Sequence, residues 1–257
     1  MKLLYDFYPK IDDTISCNIT GTNFGSSSET DFGLTNLFSL EPMKCVKSAS
    51  ISEASLTLTF SSVIDIDCVF LNRINFSECD IRYGNTTDDE LKLFGSLSSL
   101  KKDELADEKY VHAVCVKDSP ITGVKRIKII VPANKVLFSD TVYKIGNLFV
   151  GKTTEIMNPK SGFGVTYKPK IAVTEFKSGY VSTARLGRTR RVFDGDFDKL
   201  QESILNKLKL TYEPFMMYLD FKDDIQACYL VRCTDEYKRT YDFAKVQSMG
   251  FSFEEIA

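Results

Sequence analysis

The sequence predicts a mainly β protein made of two β-sandwich domains. Three observations carry that expectation. Val63 to Gly84 reads as two buried strands joined by a polar turn, with Ile64, Ile66, Cys68 and Phe70 alternating onto one face. Period-two patterning of this kind recurs on both sides of a stretch at 152–167 that is rich in chain breakers, including Asn158-Pro159, Ser161-Gly162 and Gly164. Apolar residues at helical spacing occur in only two short segments.

Taken in order, residues 12–50 are polar and rich in turns, with Gly21, Gly25, Gly33 and the run Ser26 to Ser28, and predict a loop-rich entry with short strands. Strand patterns follow at 54–60, 63–71 and 80–83. Val69 and Leu71 make the end of the second strand apolar on both faces, and Asn72 and Asn75 sit where side-chain amides can hold turn backbone. At 88–101, Leu93, Leu97 and Leu100 behind Asp88-Asp89-Glu90 predict a helix, with Gly95 as its weak point. Strands return at 111–116, 125–131 and 142–150, so residues 1–155 form the first predicted domain.

The breaker-rich stretch marks the crossover to a second domain at 156–257. Segments 170–176 and 180–186 flank Lys177-Ser178-Gly179 as a hairpin would. A helix is expected next: Asp194 or Asp196 can cap it, and Phe197, Leu200, Ile204 and Leu208 share one face. Segments 215–219, 225–233, 240–247 and 251–253 read as closing strands.

The chain of 257 residues is 43% hydrophobic and 26% charged, the balance of an ordinary globular protein. Its net charge of −2 argues against a general nucleic-acid binder. No segment approaches the ~20 apolar residues that span a bilayer. Asp6 and Pro9 interrupt any signal-peptide core, so the expectation is a protein made in the cytosol without an export signal or membrane insertion. Seven cysteines, no Cys-x-x-Cys pair and His112 as the single histidine leave no zinc site of the usual kinds. Cys68, Cys115 and Cys228 fall in apolar strand patterns, where a thiol serves as a small hydrophobe.

Several motifs suggest chemistry. Gly146-Asn-Leu-Phe-Val-Gly151-Lys152-Thr153 satisfies the phosphate-loop pattern letter for letter, and Asp220 after an apolar run could pass for its Mg²⁺ partner. Phosphate binding needs a helix starting at the Lys, and Pro159 and Gly162 leave no room for one. The expectation is a strand at 143–150 turning at Gly151, with NTPase activity only a remote alternative. Asp65 and Asp67 read as outward strand positions, and Asp88 to Glu90 as a helix start, so neither forms a glycosidase pair or a Ca²⁺ cage. No catalytic, cofactor or metal residue is assigned. Arg185, Arg188, Arg190 and Arg191 are the one basic cluster, readable as a subunit contact, as a solvated sheet edge or, least favoured, as a nucleic-acid contact.

Two resemblances give these patterns a functional sense. The 63–84 strands, Leu34-Thr-Asn-Leu-Phe, Thr14-Ile-Ser, and the closing Arg126-Ile-Lys-Ile-Ile-Val and Tyr143-Lys-Ile-Gly-Asn-Leu-Phe-Val-Gly151 resemble the galactose-binding-like (discoidin-like) jelly rolls of bacteriophage tail proteins. The Trp that often follows the Asn-Leu phrase is missing, with Lys44-Cys45-Val46 in its region. From Gly162 to Ala257, the hairpin around Ser178-Gly179, the Arg-rich turn, the single helix, the strand after Pro214 and the ending Phe251-Ser-Phe-Glu-Glu255 are similar to the C-terminal sandwich of distal-tail and related baseplate proteins. These resemblances imply a non-enzymatic structural virion protein of a phage tail or baseplate, assembled in the host cytoplasm. It would act by symmetric homo-oligomerisation and by contact with other tail proteins, with the arginine cluster as a possible subunit interface. The alternative they imply is a module that binds host-surface glycan through the jelly roll, for which Tyr83, Asn85 and Tyr110 are the side chains to inspect.

Overall fold

The longest ladder of the molecule is made by β5 (Ala54–Ile74) and β8 (Val111–Val131), which pair antiparallel from Ala54↔Val131 to Ile74↔Val111. Register shifts between Thr59 and Cys68 interrupt the pairing midway, and such irregularities bend a strand. The bend changes the neighbours of β5. Its first half pairs with β3 (Cys17–Thr22), its second half with β9 (Lys144–Gly151). Two segments read from sequence as separate strands are thus one bent strand, and the same holds for 111–116 and 125–131.

The computed structural model describes residues 1–8, 17–25, 32–39, 44–86, 90–101, 110–157, 163–168, 171–175, 181–185, 190–198, 203, 204, 206, 208, 213–219, 226–242 and 245–256. The eight-stranded sheet runs β2 (Phe7–Tyr8), β9, β5, β8, β6 (Cys79–Gly84), β7 (Lys92–Leu97), with β3 on β5 and β4 (Val46–Lys47) on β9. Its two halves enclose one core, which joins Leu56, Leu58 and Phe60 to Val69, Leu71, Leu148 and Val150. A short 3₁₀ turn at Leu34–Phe38 lies in the loop-rich entry; Thr14-Ile15-Ser16 falls outside the described residues.

The second sheet has seven strands: β10 (Thr154–Glu155), β1 (Lys2–Leu4), β15 (Phe215–Tyr218), β16 (Cys228–Asp242), β17 (Lys245–Glu255), β14 (Arg190–Asp198) and β11 (Phe163–Lys168). Within it, β1 lies between β10 and β15, with Leu3 opposite both Thr154 and Met217. The sheet therefore takes a strand from the far end of the sequence. Every pairing among the named strands of both sheets is antiparallel, and the mainly β, sandwich-like expectation holds.

A second apolar seam joins the sheets. Cys68, Phe70, Val114 and Phe149 from the eight-stranded sheet pack with Met216, Tyr218, Cys228 and Leu230 from the other, with Leu4 and Phe7 between. This explains why the far end of β5 is apolar on both faces: Val69 and Leu71 line the inner core while Cys68 and Phe70 line the seam. The outer face of the seven-stranded sheet carries a third cluster, with Leu3, Phe193, Phe197, Phe215 and Phe253.

The predicted helix at 88–101 is replaced by β7. Leu93, required on its apolar face, is 57% exposed. Phe94 is an extra residue in the pairing with β6, where Ile81 faces Gly95 and Arg82 faces Leu93. That bulge puts Phe94 and Leu97 both inside and leaves Leu93 outside, so the helical spacing of Leu93, Leu97 and Leu100 joins one exposed residue to two buried ones. Gly95 follows from packing, because the Cys115 thiol occupies the space its Cβ would need.

The second predicted helix begins later than expected. Asp194, Asp196 and Phe197 belong to β14, and helix is found at residues 203, 204, 206 and 208. Ile204 and Leu208 keep their core-facing role against the third cluster; Leu200 lies outside the described residues. The segment at 240–247 is split between β16, ending at Asp242, and β17, starting at Lys245. Asp67, expected to point outward beside Asp65, is buried instead. Its carboxylate accepts hydrogen bonds from the Thr153 backbone N–H (2.7 Å) and hydroxyl (2.9 Å), which meets the requirement of a buried charge for partners.

Candidate functional site

At the β11 side, the seven-stranded sheet ends in a strand with one neighbour. β11 pairs with β14 from Phe163↔Gly195 to Lys168↔Arg190, and among the described residues no strand pairs with its other edge. Residues 164–168 are all exposed, including Val165 (42%) and Tyr167 (46%). Strands β12 (Ile171–Glu175) and β13 (Val181–Arg185) pair with each other as a two-stranded sheet that, among the described residues, joins neither larger one. An edge strand exposes unpaired backbone donors and acceptors, and an isolated two-stranded hairpin is marginally stable in water.

The arginine cluster is distributed along this region. Arg185 closes β13 opposite Ile171, and Arg188 lies outside the described residues. Arg190 and Arg191 are neighbours on β14 and so point to opposite faces. Arg190 donates to Glu254 at 3.0 Å, and Arg232 reaches the other oxygen of that carboxylate at 3.3 Å. Burial works against the Glu254 charge, yet hydrogen bonds from the two guanidinium groups hold its carboxyl below the usual range.

Arg191 is 4% exposed and engages Glu255, 2% exposed, at 3.0 and 3.1 Å, while the Arg191 backbone N–H donates to the same carboxylate. Its guanidinium also stands 5.2 Å from the Tyr229 ring centre and 5.9 Å from that of Tyr167. Burial pushes the Tyr229 phenol far up, so it stays protonated beside this pair. His112 of β8 joins from the other sheet, with Nε2 3.8 Å from the Glu255 carboxylate. Its Nδ1 accepts the Arg73 backbone N–H, which places the neutral ring's proton on Nε2, toward Glu255. Arg191 is thus an internal tie, and Arg190 is the partly exposed member of the pair.

The phosphate-loop letters fall in β9 and the turn after it. Asn147 and Leu148 pair with Asn72 and Leu71, so this backbone is extended and committed to a ladder. Its glycines permit close packing: a Cβ at Gly146 would lie 2.5 Å from the Arg73 Nε, and one at Gly151 would lie 2.6 Å from the Asp6 carbonyl oxygen. Asn147 spans from Asn72 and Arg73 to the carbonyls of Leu37 and Ser39, pinning the entry loop. Asn75 holds the segment before β9 through Asp140, Val142 and Lys144.

The glycan candidates do not converge. Tyr83 faces Ile127, itself opposite Leu58, and packs edge-on against Phe94. Asn85 donates to the carbonyls of Thr122 and Gly123 near the bend of the ladder. Tyr110 precedes Val111, at the Ile74 end, where burial raises its phenol above the ordinary value.

A different polar cleft forms where the bend of β5 meets both ends of the seam. Its lining includes Tyr5, Asp6, Tyr8, Asp65, Lys152 and Thr154, around a volume of about 570 Å³. Sequence reasoning singled out Asp65, Asp67 and Lys152-Thr153 separately; the pairing of β2 with β9 and the bend in β5 bring them together. Nothing in their spacing signals this. Among the described residues, no group of three His, Cys, Asp or Glu is placed to hold a metal. All seven cysteines are free and all but Cys115 are buried; burial raises the thiols of Cys68 and Cys79, so they remain protonated and inert.

No family model matches the chain, and neither does any curated protein. Among solved structures, the family 32 carbohydrate-binding module of Streptococcus pneumoniae EndoD aligns at 14% identity and a TM-score of 0.42, over 54% of this chain and 98% of its own. The F5/8 type C domain of a Bacteroides fragilis protein aligns at 9% identity and 0.44, over 60% and 99%. A GH29 fucosidase from Ruminococcus gnavus aligns at 13% identity and 0.44, over 55% of this chain and 26% of its own, so the chain spans about a quarter of that enzyme's length.

Proposed function

We propose that this protein is a structural subunit of a phage tail or baseplate that assembles with copies of itself and with neighbouring tail proteins through the outer edge of its seven-stranded sheet. The observation behind this reading is the exposed strand β11 followed by a hairpin, β12–β13, that among the described residues pairs only with itself. Backbone groups on such edges pair readily with a strand from another chain. A repeated contact of this kind between different surfaces of identical subunits builds a ring where its rotation closes and a helical stack where it does not. The sequence resemblance to distal-tail sandwiches points the same way, with Arg185 and Arg190 beside the proposed contact.

The test is particle incorporation combined with native mass spectrometry. Val165→Lys places a charge on the exposed edge, where the folded subunit tolerates it and strand addition does not. The variant should remain folded and lose higher-order species and incorporation. A wild-type chain that stays monomeric alone and with its particle proteins would refute the reading.

A second reading, glycan binding by the jelly-roll half, is favoured by one observation: the polar cleft combines phenol, carboxylate, ammonium and hydroxyl groups. The two readings are compatible, since an assembly subunit can also carry a binding site. Binding of neutral saccharides by the isolated subunit tests it.

A further inference from the structure

We infer that the cleft between the β1–β2 connection, the bend of β5 and the turn after β9 is a binding site for an uncharged, hydroxyl-rich ligand of the sugar class. This rests on the glycan-binding reading and gives it a location. At about 570 Å³ the cleft has the size of a small-molecule site. Its walls are fixed before any ligand arrives. Asp67 holds both the backbone N–H and the hydroxyl of Thr153, the Gly123 N–H donates to Asp65, and the Thr154 hydroxyl meets the Tyr5 phenol at 3.3 Å. Gly151 lies so close to the Asp6 carbonyl and to Leu4 that a side chain there has no room. The Tyr8 ring is set edge-on to Phe60 at 6.0 Å. Such preorganisation lowers the ordering cost of binding.

The lining defines the ligand by exclusion and by fit. Asp6 and Asp65 outnumber Lys152, so phosphates and other polyanions meet net repulsion. Val63 is the main exposed apolar contact, so a greasy ligand gains little. A sugar suits what remains. Its hydroxyls donate to the carboxylates and to the Thr154 hydroxyl oxygen, Lys152 donates to its oxygens, and the tyrosine rings offer apolar surface with a polar tip. The Lys152-Thr153 pair that imitates a phosphate loop thus takes a different role, with Thr153 locked to Asp67 and Lys152 exposed at the cleft.

The experiment titrates the whole chain with lactose, maltose, cellobiose and diacetylchitobiose, followed by ligand-observed NMR and calorimetry, with Mg-ATP as a separate arm. Two variants at exposed positions accompany it: Lys152→Ala removes a donor, and Val63→Trp obstructs the cleft. At least one disaccharide should bind wild type, and each variant should weaken that binding about tenfold, the loss of one good contact, with an unchanged circular dichroism spectrum. Undiminished binding by both variants would overturn the location while leaving glycan binding intact. Failure of all four disaccharides with wild type would overturn both. Binding of Mg-ATP that is lost in Lys152→Ala would overturn the assignment in favour of a phosphate site.

Discussion

Strands β9 and β11 are similar in length and both carry aromatic and aliphatic residues, yet they have opposite fates. β9 pairs with β2, β4 and β5, and is buried from Ile145 to Gly151 because Leu148 and Val150 face the inner core while Phe149 faces the seam. β11 has one named neighbour and exposes every residue from Gly164 to Lys168. Apolar content does not separate them; position does. A strand between two layers converts its side chains into stability, whereas a strand at a sheet edge leaves them available to another chain.

Substitutions can sharpen that contrast. Phe149→Ala removes a ring that sits 4.4 Å from Phe7 and 6.1 Å from Phe70, and should lower unfolding free energy by about 3–5 kcal/mol in urea titration. Val165→Ala on β11 should change it by less than about 0.5 kcal/mol; equal losses at the two positions would break the comparison. Arg191→Ala leaves Glu255 buried beside His112 without its guanidinium, and should cost about 3–5 kcal/mol because an uncompensated interior charge remains.

Gly95→Ala forces a methyl group into the Cys115 thiol, a smaller overpacking loss of about 1–3 kcal/mol. The mildest effect belongs to the edge. The Glu254 carboxyl is held below its ordinary range by Arg190 and Arg232, so its contribution is present above the usual carboxylate pKa and is lost as pH falls through the lowered native value. Glu254→Gln should therefore flatten the acid limb of the stability profile slightly; an identical profile would show that these surface pairs contribute nothing measurable.

Much of the fold was legible because burial imposes period two. Ile64, Ile66, Cys68 and Phe70 were readable as buried strand positions but not as the two faces they take, because the register shifts leave Ile64 and Ile66 in the inner core and send Cys68 and Phe70 to the seam; the doubly apolar end of β5 already signalled a strand enclosed on both sides. The bulge at Phe94 was not legible, because Leu93, Leu97 and Leu100 match a helical spacing by their letters alone, while the inserted residue turns Leu93 out to solvent. Nor was the burial of Asp67, since its partner, Thr153, is distant in sequence and only the fold brings them together. The same reason hid the cleft. Its residues come from three separate segments that share no pattern, whereas the arginine cluster was visible as a run but its division into a buried tie and a partly exposed pair depends on which face each side chain takes.

The position of β1 imposes an order of events on the chain. Lys2–Leu4 is translated long before Phe215–Tyr218, its partner, so during synthesis this segment has no β15 to pair with while the strands of the eight-stranded sheet are already available to one another. Closing a loop of that span is slow, and contacts so distant in sequence come late in folding. Until then Leu3 and Leu4 have only part of their final cover, and the seam-facing side of Phe70 and Phe149 lacks Met216, Tyr218 and Leu230. Strands β15 to β17 therefore act as a latch: they complete their own sheet and, in the same step, fasten β1 and shut the apolar surface that would otherwise invite aggregation.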